Sequence, residues 1–158
     1  MNKLAIMHNT DFLKQYVTVG KFEISDVISK IYYPPEKELQ SLSKKKSKIK
    51  LSINNEEFII KMNSDRYKVF AKNNNCYICK LPGSFFLLQR TKYPDKFQSE
   101  NVMHFNLYAE DKFNINSGKI ILMTVDHVKP KSKGGTNFLE NLQTCCVFCN
   151  TAKDSKLY

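Results

Sequence analysis

Two cysteine motifs, Cys76-Tyr-Ile-Cys79 and Cys146-Val-Phe-Cys149, dominate the interpretation of this chain of 158 residues. A Cys-x-x-Cys turn directs two thiolates at one point, and two such turns complete a tetrahedral sulfur site that suits Zn²⁺. Four protein ligands leave no open coordination position, so we expect this zinc to be structural. It would join the middle of the chain to its C-terminal region across residues 80–145.

The fifth cysteine, Cys145, is not expected to be a ligand. Pairing it with Cys149 would leave three intervening residues, which is a less usual spacing, so we assign Cys146 and expect Cys145 to be packed. Two alternatives remain: unrelated turns that hold free thiols, and a redox-active Cys-x-x-Cys, although the βαβ context of the latter is missing. Disulfides are a poor explanation because the cysteine count is odd and no signal peptide is evident.

The charge balance points to an anionic partner. Lys and Arg number 25 against 15 Asp and Glu, which gives a net charge of +10. This excess favours nucleic acid, and less strongly a membrane surface. No apolar run approaches the ~18–20 residues that span a bilayer, so we expect a cytoplasmic protein.

Local patterns predict mixed α and β structure. Residues 10–33 are weakly helical, and five lysines within Lys44–Lys50 form either a solvated linker or a phosphate-contacting arm. Alternating apolar residues on both sides of Asn54-Asn55 predict a β-hairpin. The other predicted elements are a short helix at Glu36–Leu42, a helix after the N-cap Ser64, a long hairpin from strands Val102–Ala109 and Lys119–Val125, and a final helix within Cys146–Lys156.

A second group of residues suits phosphodiester hydrolysis. Asp126-His127 ends a predicted strand, Asn141 ends a glycine-bearing loop, and Asn150 follows the last cysteine of the second motif. A neutral imidazole can activate water, and carboxylate and amide oxygens are suitable ligands for Mg²⁺. Because neighbouring strand residues point to opposite sides, Asp126 and His127 can act together only if the strand ends there.

Taken together, these motifs resemble the HNH endonuclease family, most closely its small phage-type members with two Cys-x-x-Cys knuckles. The resemblance covers roughly residues 63–158. It implies an α+β fold in which a zinc-stapled ββα-metal (His-Me finger) domain follows a small basic accessory region, residues 1–62, of unknown fold. It also implies a metal-dependent nuclease that cuts DNA and leaves 5′-phosphate and 3′-hydroxyl ends.

Carried over by position, the resemblance makes His127 the general base and Asp126 a ligand of the catalytic divalent ion, Mg²⁺ or a similar cation. Asn141 would brace the loop and so aim His127. Asn150 stands where the family often has His, and would be the second metal ligand. Lys153 matches a basic position that could touch a phosphate.

Other candidates depend less on the motif. The alternating Lys129, Lys131 and Lys133 would either add solubility or bind the DNA backbone. His104 is either a structural hairpin residue or a group near the scissile phosphate. A single site should nick one strand, whereas a double-strand break would need a pair, so a homodimer and a protein partner both stay open alternatives. The alternative function is a non-catalytic, zinc-dependent nucleic-acid-binding module.

Overall fold

The computed structural model describes residues 14–31, 48–92, 102–111 and 118–154, and the structural statements below concern these residues. They form a strand-rich α+β fold, as predicted. The elements in chain order are β1 (Tyr16–Phe22), α1 (Ile24–Ile28), β2 (Lys48–Ile53), β3 (Glu56–Lys61), α2 (Asp65–Lys72), β4 (Phe85–Thr91), β5 (Val102–Glu110), β6 (Ile120–His127), β7 (Leu142–Cys146) and α3 (Val147–Asp154). Short 3₁₀ turns lie at Lys131–Lys133 and Leu139–Asn141.

All of these strands belong to one sheet. Its main path is β1-β4-β5-β3-β2, while β6 pairs with the end of β5, and β7 pairs with β6. The β3–β5 pair is parallel and the other pairs are antiparallel. Strands on both sides of residue 62 therefore share one sheet, and the division into residues 1–62 and 63–158 stays a prediction.

The predicted hairpin at Asn54-Asn55 is confirmed as β2 and β3. Ile53 pairs with Glu56 across the two asparagines, whose φ angles are 52° and 65°. A two-residue hairpin loop needs these left-handed conformations to match the twist of the strands, and Asn tolerates them better than most residues.

The main core lies between the sheet and the helices. On α2, the ring of Tyr67 packs edge-on against Phe105 of β5, with the centroids 6.5 Å apart. Phe70 meets Phe86 of β4 at 6.1 Å. The Phe105 backbone N–H also donates to the Tyr67 hydroxyl at 3.1 Å, so α2 satisfies a strand-edge donor as well as burying apolar surface.

Three strands were not predicted from the sequence. β4 contains the apolar run Phe85–Leu88, which is buried on both faces and so lacks the alternation that marks a half-exposed strand. β1 occupies part of the segment predicted as helical, and Ile24–Ile28 in the same segment forms a short α-helix. β7 runs directly into α3. The helix predicted at Glu36–Leu42 lies outside the described residues, and so do Lys44, Lys45 and Lys46 of the lysine run.

Candidate functional site

The four predicted cysteine ligands come together. The sulfur atoms of Cys76, Cys79, Cys146 and Cys149 all lie within 4.8 Å of one another. The Cys79 and Cys146 sulfurs are 3.8 Å apart, which matches the ~3.8 Å edge of a tetrahedron with metal–sulfur bonds of ~2.3 Å. This cluster could hold a metal ion, and Cys145 is not part of it.

Backbone hydrogen bonds shape the first cysteine turn. The Lys80 N–H donates to the Cys76 carbonyl at 2.9 Å, and the Cys76 N–H donates to the Leu81 carbonyl at 2.9 Å. Lys80 has a left-handed φ of 62°, which the tight turn after Cys79 requires. The second turn uses the junction between β7 and α3, because Cys146 ends the strand and Cys149 lies in the first helical turn.

The thiols of this cluster ionise very differently. Burial opposes ionisation of Cys76, but the backbone N–H groups of Cys146, Cys79 and Ile78 outweigh it and lower the pKa of Cys76 to about 6. Burial raises the pKa of Cys146 to about 11. Burial likewise raises the pKa of Cys149. A metal must therefore displace thiol protons when it binds at neutral pH.

Zinc affinity should accordingly fall as the pH is lowered. Each thiol proton displaced on binding makes the apparent affinity change about tenfold per pH unit, and the protonated Cys146 contributes at least one such proton near neutrality. Competition against a chromophoric chelator between about pH 8 and pH 6 measures this slope. An affinity independent of pH over this range would contradict the assignment of thiolate ligands.

Next to the cysteine cluster, β6 and β7 form a hairpin that is covered by the helix α3. β6 and β7 pair from Met123↔Cys146 to His127↔Leu142, and α3 begins at the next residue, Val147. The α3 helix packs on both strands. This arrangement places Asp126 and His127 at the end of β6, Asn141 in the 3₁₀ turn directly before β7, and Asn150 on the covering helix.

Asp126 is held by two donors on the α3 side of the hairpin. Its Oδ2 accepts from the Lys153 ammonium at 2.6 Å and from the Tyr77 hydroxyl at 3.2 Å. Lys153 also donates to the His127 carbonyl at 2.8 Å. The Asp126 and Lys153 side chains are only 13% and 24% exposed. In this arrangement Lys153, predicted to touch a phosphate, is paired with the carboxylate.

Asn150 is oriented by a short relay through Thr124. The Thr124 hydroxyl donates to the Cys145 carbonyl at 2.8 Å, so its oxygen can only accept from Asn150. Asn150 therefore donates its amide Nδ2 to Thr124 at 3.0 Å and keeps its carbonyl oxygen available as a ligand. Thr124 and Asp126 lie two residues apart on one face of β6, so the oxygens of Asn150 and Asp126 belong to the same side.

His127 lies on the opposite side and contacts the loop. Its Nε2 is 2.9 Å from the Asn137 side-chain oxygen. Because that oxygen can only accept, Nε2 carries the proton and the lone pair of a neutral ring stays on Nδ1. β6 ends at His127, and joint action of His127 with Asp126 stays a prediction.

Asn141 braces the long loop between β6 and β7. Its Oδ1 accepts from the Lys129 N–H at 2.8 Å. Its Nδ2 donates to the carbonyls of Lys129 at 3.1 Å and Thr136 at 2.8 Å. The backbone adds a bond from the Val128 N–H to the Asn141 carbonyl at 2.9 Å. Asn141 thus ties the start of the loop, at Val128 and Lys129, to Thr136, which directly precedes Asn137.

The same loop contains a glycine that cannot be replaced. A Cβ added to Gly135 would lie 1.8 Å from the Lys129 carbonyl oxygen, which Asn141 also binds. We expect Gly135→Ala to open this loop and speed hydrogen exchange at Lys129. Gly134→Ala is the matched control: an added Cβ would make only an ordinary contact with the Lys129 side chain, and the φ of 81° costs about 1–2 kcal/mol, so the hydrogen bonds of Asn141 should survive. Equal exchange in the two variants would contradict this account.

The remaining predicted residues lie apart from these contacts. Lys129, Lys131 and Lys133 are exposed along the loop. His104 is on β5 opposite Gln89, and burial, followed by the charges of Arg66 and Lys61, lowers its pKa. The β5–β6 ladder extends only from Glu110↔Ile120 to Tyr108↔Leu122, so it stops before reaching His104. No hydrogen bond between described residues joins His104 to Asp126 or His127.

Sequence analysis missed three residues that shape this site: Tyr77, Thr124 and Asn137. Tyr77 is one of the two variable residues between cysteine ligands, where spacing alone gives no reason to expect a contact with Asp126. Thr124 and Asn137 lie close in sequence to Asp126-His127, but their roles depend on strand alternation and loop closure that only the fold reveals.

One family model matches part of the chain. Residues 113–156 match the family model described as HNH endonuclease, which spans β6, the braced loop, β7 and α3. No curated protein and no solved structure matches the chain. Within the described residues, no helix is long and apolar enough to cross a membrane. The region that contains Asp126, His127, Asn141 and Asn150 thus carries an HNH endonuclease domain match.

Proposed function

We propose that this protein is a metal-dependent HNH endonuclease that hydrolyses DNA phosphodiester bonds. The observation that supports the proposal is the location of three side chains: a carboxylate near the end of β6, an amide on the helix that packs on this strand, and an imidazole at the last residue of β6. These are Asp126, Asn150 and His127, and they lie inside the segment that matches the family. The fold proposed for this end is a ββα-metal (His-Me finger) domain stapled by zinc.

The residues present fit a hard divalent cation such as Mg²⁺. Asp126 keeps Oδ1 outside its two hydrogen bonds, and the orientation of Asn150 leaves its side-chain oxygen available. Oxygen ligands of this kind suit Mg²⁺, which usually keeps several waters when protein ligands are few. When bound, the cation would supply positive charge to the scissile phosphate and to the departing 3′ oxygen.

His127 performs the proton transfer in this proposal. Its Nδ1 lone pair accepts a proton from the attacking water, while Asn137 holds the Nε2 proton and fixes the tautomer. Attack at phosphorus with loss of the 3′ oxygen leaves a 5′-phosphate and a 3′-hydroxyl. Asn141 acts through the loop, since its three side-chain hydrogen bonds keep the chain after His127 in place.

Two further features support the proposal, namely the cysteine cluster and the positive net charge of the chain. We assign the metal of the cysteine cluster as structural Zn²⁺, because four sulfur ligands leave it no reactive position. The net charge of +10 and the exposed Lys129, Lys131 and Lys133 support DNA as the substrate. One such site cuts one strand, so a monomer should nick.

Nicking of supercoiled plasmid tests this function. Zinc-loaded protein should convert the plasmid to the open circle with added Mg²⁺ or Mn²⁺ and leave it supercoiled when the divalent ion is omitted. Omission is preferable to chelation, because a chelator could also remove the structural metal. DNA ligase should reseal the nicks if the ends are as proposed. Cutting that persists without added divalent ion in protein stripped of everything but zinc would contradict the proposal.

A non-catalytic DNA-binding module is the second candidate function. The contact that favours it is the 2.6 Å ion pair between Lys153 and Asp126, which already balances the charge of the proposed ligand. In that case the protein would shift DNA in a salt-dependent manner but would not nick it with any divalent ion. Salt-dependent binding combined with metal-dependent nicking would exclude this candidate.

A further inference from the structure

We propose that Tyr77 is a positioning residue for the divalent ion: its hydroxyl holds the Asp126 carboxylate so that the other oxygen faces the cation. This inference rests on the proposed function. It concerns a residue inside the first cysteine turn, where a structural metal site and a catalytic one would otherwise be independent. The contact is the Tyr77 hydroxyl to Asp126 Oδ2, at 3.2 Å.

Tyr77 is fixed from two directions. The cysteines on either side of the Tyr77-Ile78 pair, Cys76 and Cys79, belong to the thiolate cluster. The backbone N–H of Tyr77 donates to the Thr144 carbonyl of β7 at 2.9 Å. The turn is therefore anchored both to sulfur ligands and to the strand that pairs with β6. Because this turn is already ordered, the Tyr77 hydroxyl can hold the Asp126 carboxylate at little further cost in side-chain entropy.

The two donors to Asp126 share one oxygen. Tyr77 and Lys153 both reach Oδ2, and among the described residues no hydrogen bond to Oδ1 is found. This division assigns Oδ2 to the protein and Oδ1 to the cation. Hydrogen bonds of this outer kind orient ligating carboxylates and tune metal affinity, and their removal typically costs about 10–100-fold in affinity or activity.

Tyr77 and Lys153 differ in what they do to a cation. Lys153 carries a positive charge that repels a nearby divalent ion even as it orients the carboxylate. The Tyr77 hydroxyl is neutral and contributes orientation without that repulsion. Removing it should therefore weaken cation binding, whereas removing Lys153 changes two opposing effects at once. Tyr77→Phe is consequently the cleaner test.

The test compares Tyr77→Phe with Tyr67→Phe in zinc-loaded full-length protein. Mn²⁺ binding is followed by the electron paramagnetic resonance signal of the free ion, and Asp126→Ala defines which binding belongs to the site. We expect Tyr77→Phe to keep its zinc and to bind Mn²⁺ about tenfold more weakly. Nicking should need correspondingly more Mg²⁺ and should recover at saturation. Tyr67→Phe also loses a hydroxyl hydrogen bond, to the Phe105 N–H, but at a site that does not touch Asp126.

Three results would overturn the inference. The first is an unchanged Mn²⁺ affinity in zinc-retaining Tyr77→Phe. The second is equal weakening in Tyr67→Phe, which would reduce the effect to general destabilisation. The third is a wild-type protein without any Asp126-dependent Mn²⁺ binding, and that result would remove the proposed function as well. The first two leave the proposed function intact, so the two failures are distinguishable.

Discussion

Removing the metal from the four-cysteine cluster should unfold the end of the molecule formed by β7 and α3. The cluster joins the turn at residues 76–79 to the strand–helix junction at residues 146–149, with all sulfurs within 4.8 Å. Structural zinc contributes roughly 10–16 kcal/mol of apparent binding free energy as folding free energy. That is comparable to the whole stability of a typical domain, about 5–15 kcal/mol.

Hydrogen exchange of the α3 amides, with and without a strong chelator, measures this effect. We expect Cys79→Ser to behave like the chelated protein and to lose both zinc and nicking activity. Cys145→Ala is the matched control, because Cys145 is the neighbouring buried cysteine that lies outside the cluster. It should keep zinc and pay only the modest cost of a small core truncation, about 1 kcal/mol. Unchanged protection of α3 after complete metal removal would show that the core alone holds this end.

Replacing His127 by alanine should slow DNA cleavage by about 10²–10⁴-fold, which is the usual contribution of a general base. Because His127 contacts only the loop residue Asn137 through its ring, among the described hydrogen bonds, the fold should persist. DNA affinity should stay near the wild-type value, since the exposed lysines are untouched. Single-turnover cleavage of an end-labelled duplex gives the rate, and fluorescence anisotropy gives the affinity.

His104→Ala is the control for this experiment. His104 lies on β5 near Arg66 and Lys61, away from the contacts of Asp126 and His127. We expect this variant to cleave at close to the wild-type rate. A His104→Ala protein as inactive as His127→Ala would instead place His104 at the scissile phosphate, which is the alternative that the sequence left open.

The cysteine cluster could be predicted because its chemistry leaves a spacing signature. Two thiolates separated by two residues point at one metal, and the preference for Cys146 over Cys145 follows from the same geometry. The structure places Cys146 in the cluster and buries Cys145 in the core. The hairpin at Asn54-Asn55 was predictable for a similar reason, because only a few residues tolerate the left-handed turn.

Other features could not be predicted because they depend on partners far away in the chain. The strand β4 looks like any buried apolar run until β1 and β5 are known to cover its two edges. The pairing of Lys153 with Asp126 requires α3 to pack on β6. Tyr77 reaches Asp126 across 49 positions of sequence. Such contacts are set by tertiary packing, which local patterns do not record.

Asp126 is proposed as a metal ligand and His127 as the general base, and the dependence of nicking on metal concentration distinguishes these two roles most directly. Nicking should be measured over a wide range of Mn²⁺ concentration for the wild type, Asp126→Ala and His127→Ala. We expect Asp126→Ala to recover part of its activity at high Mn²⁺, because a lost ligand weakens affinity. We expect His127→Ala to stay slow at every concentration, because the base is missing. Recovery of His127→Ala by metal, with Asp126→Ala active at low Mn²⁺, would contradict these roles.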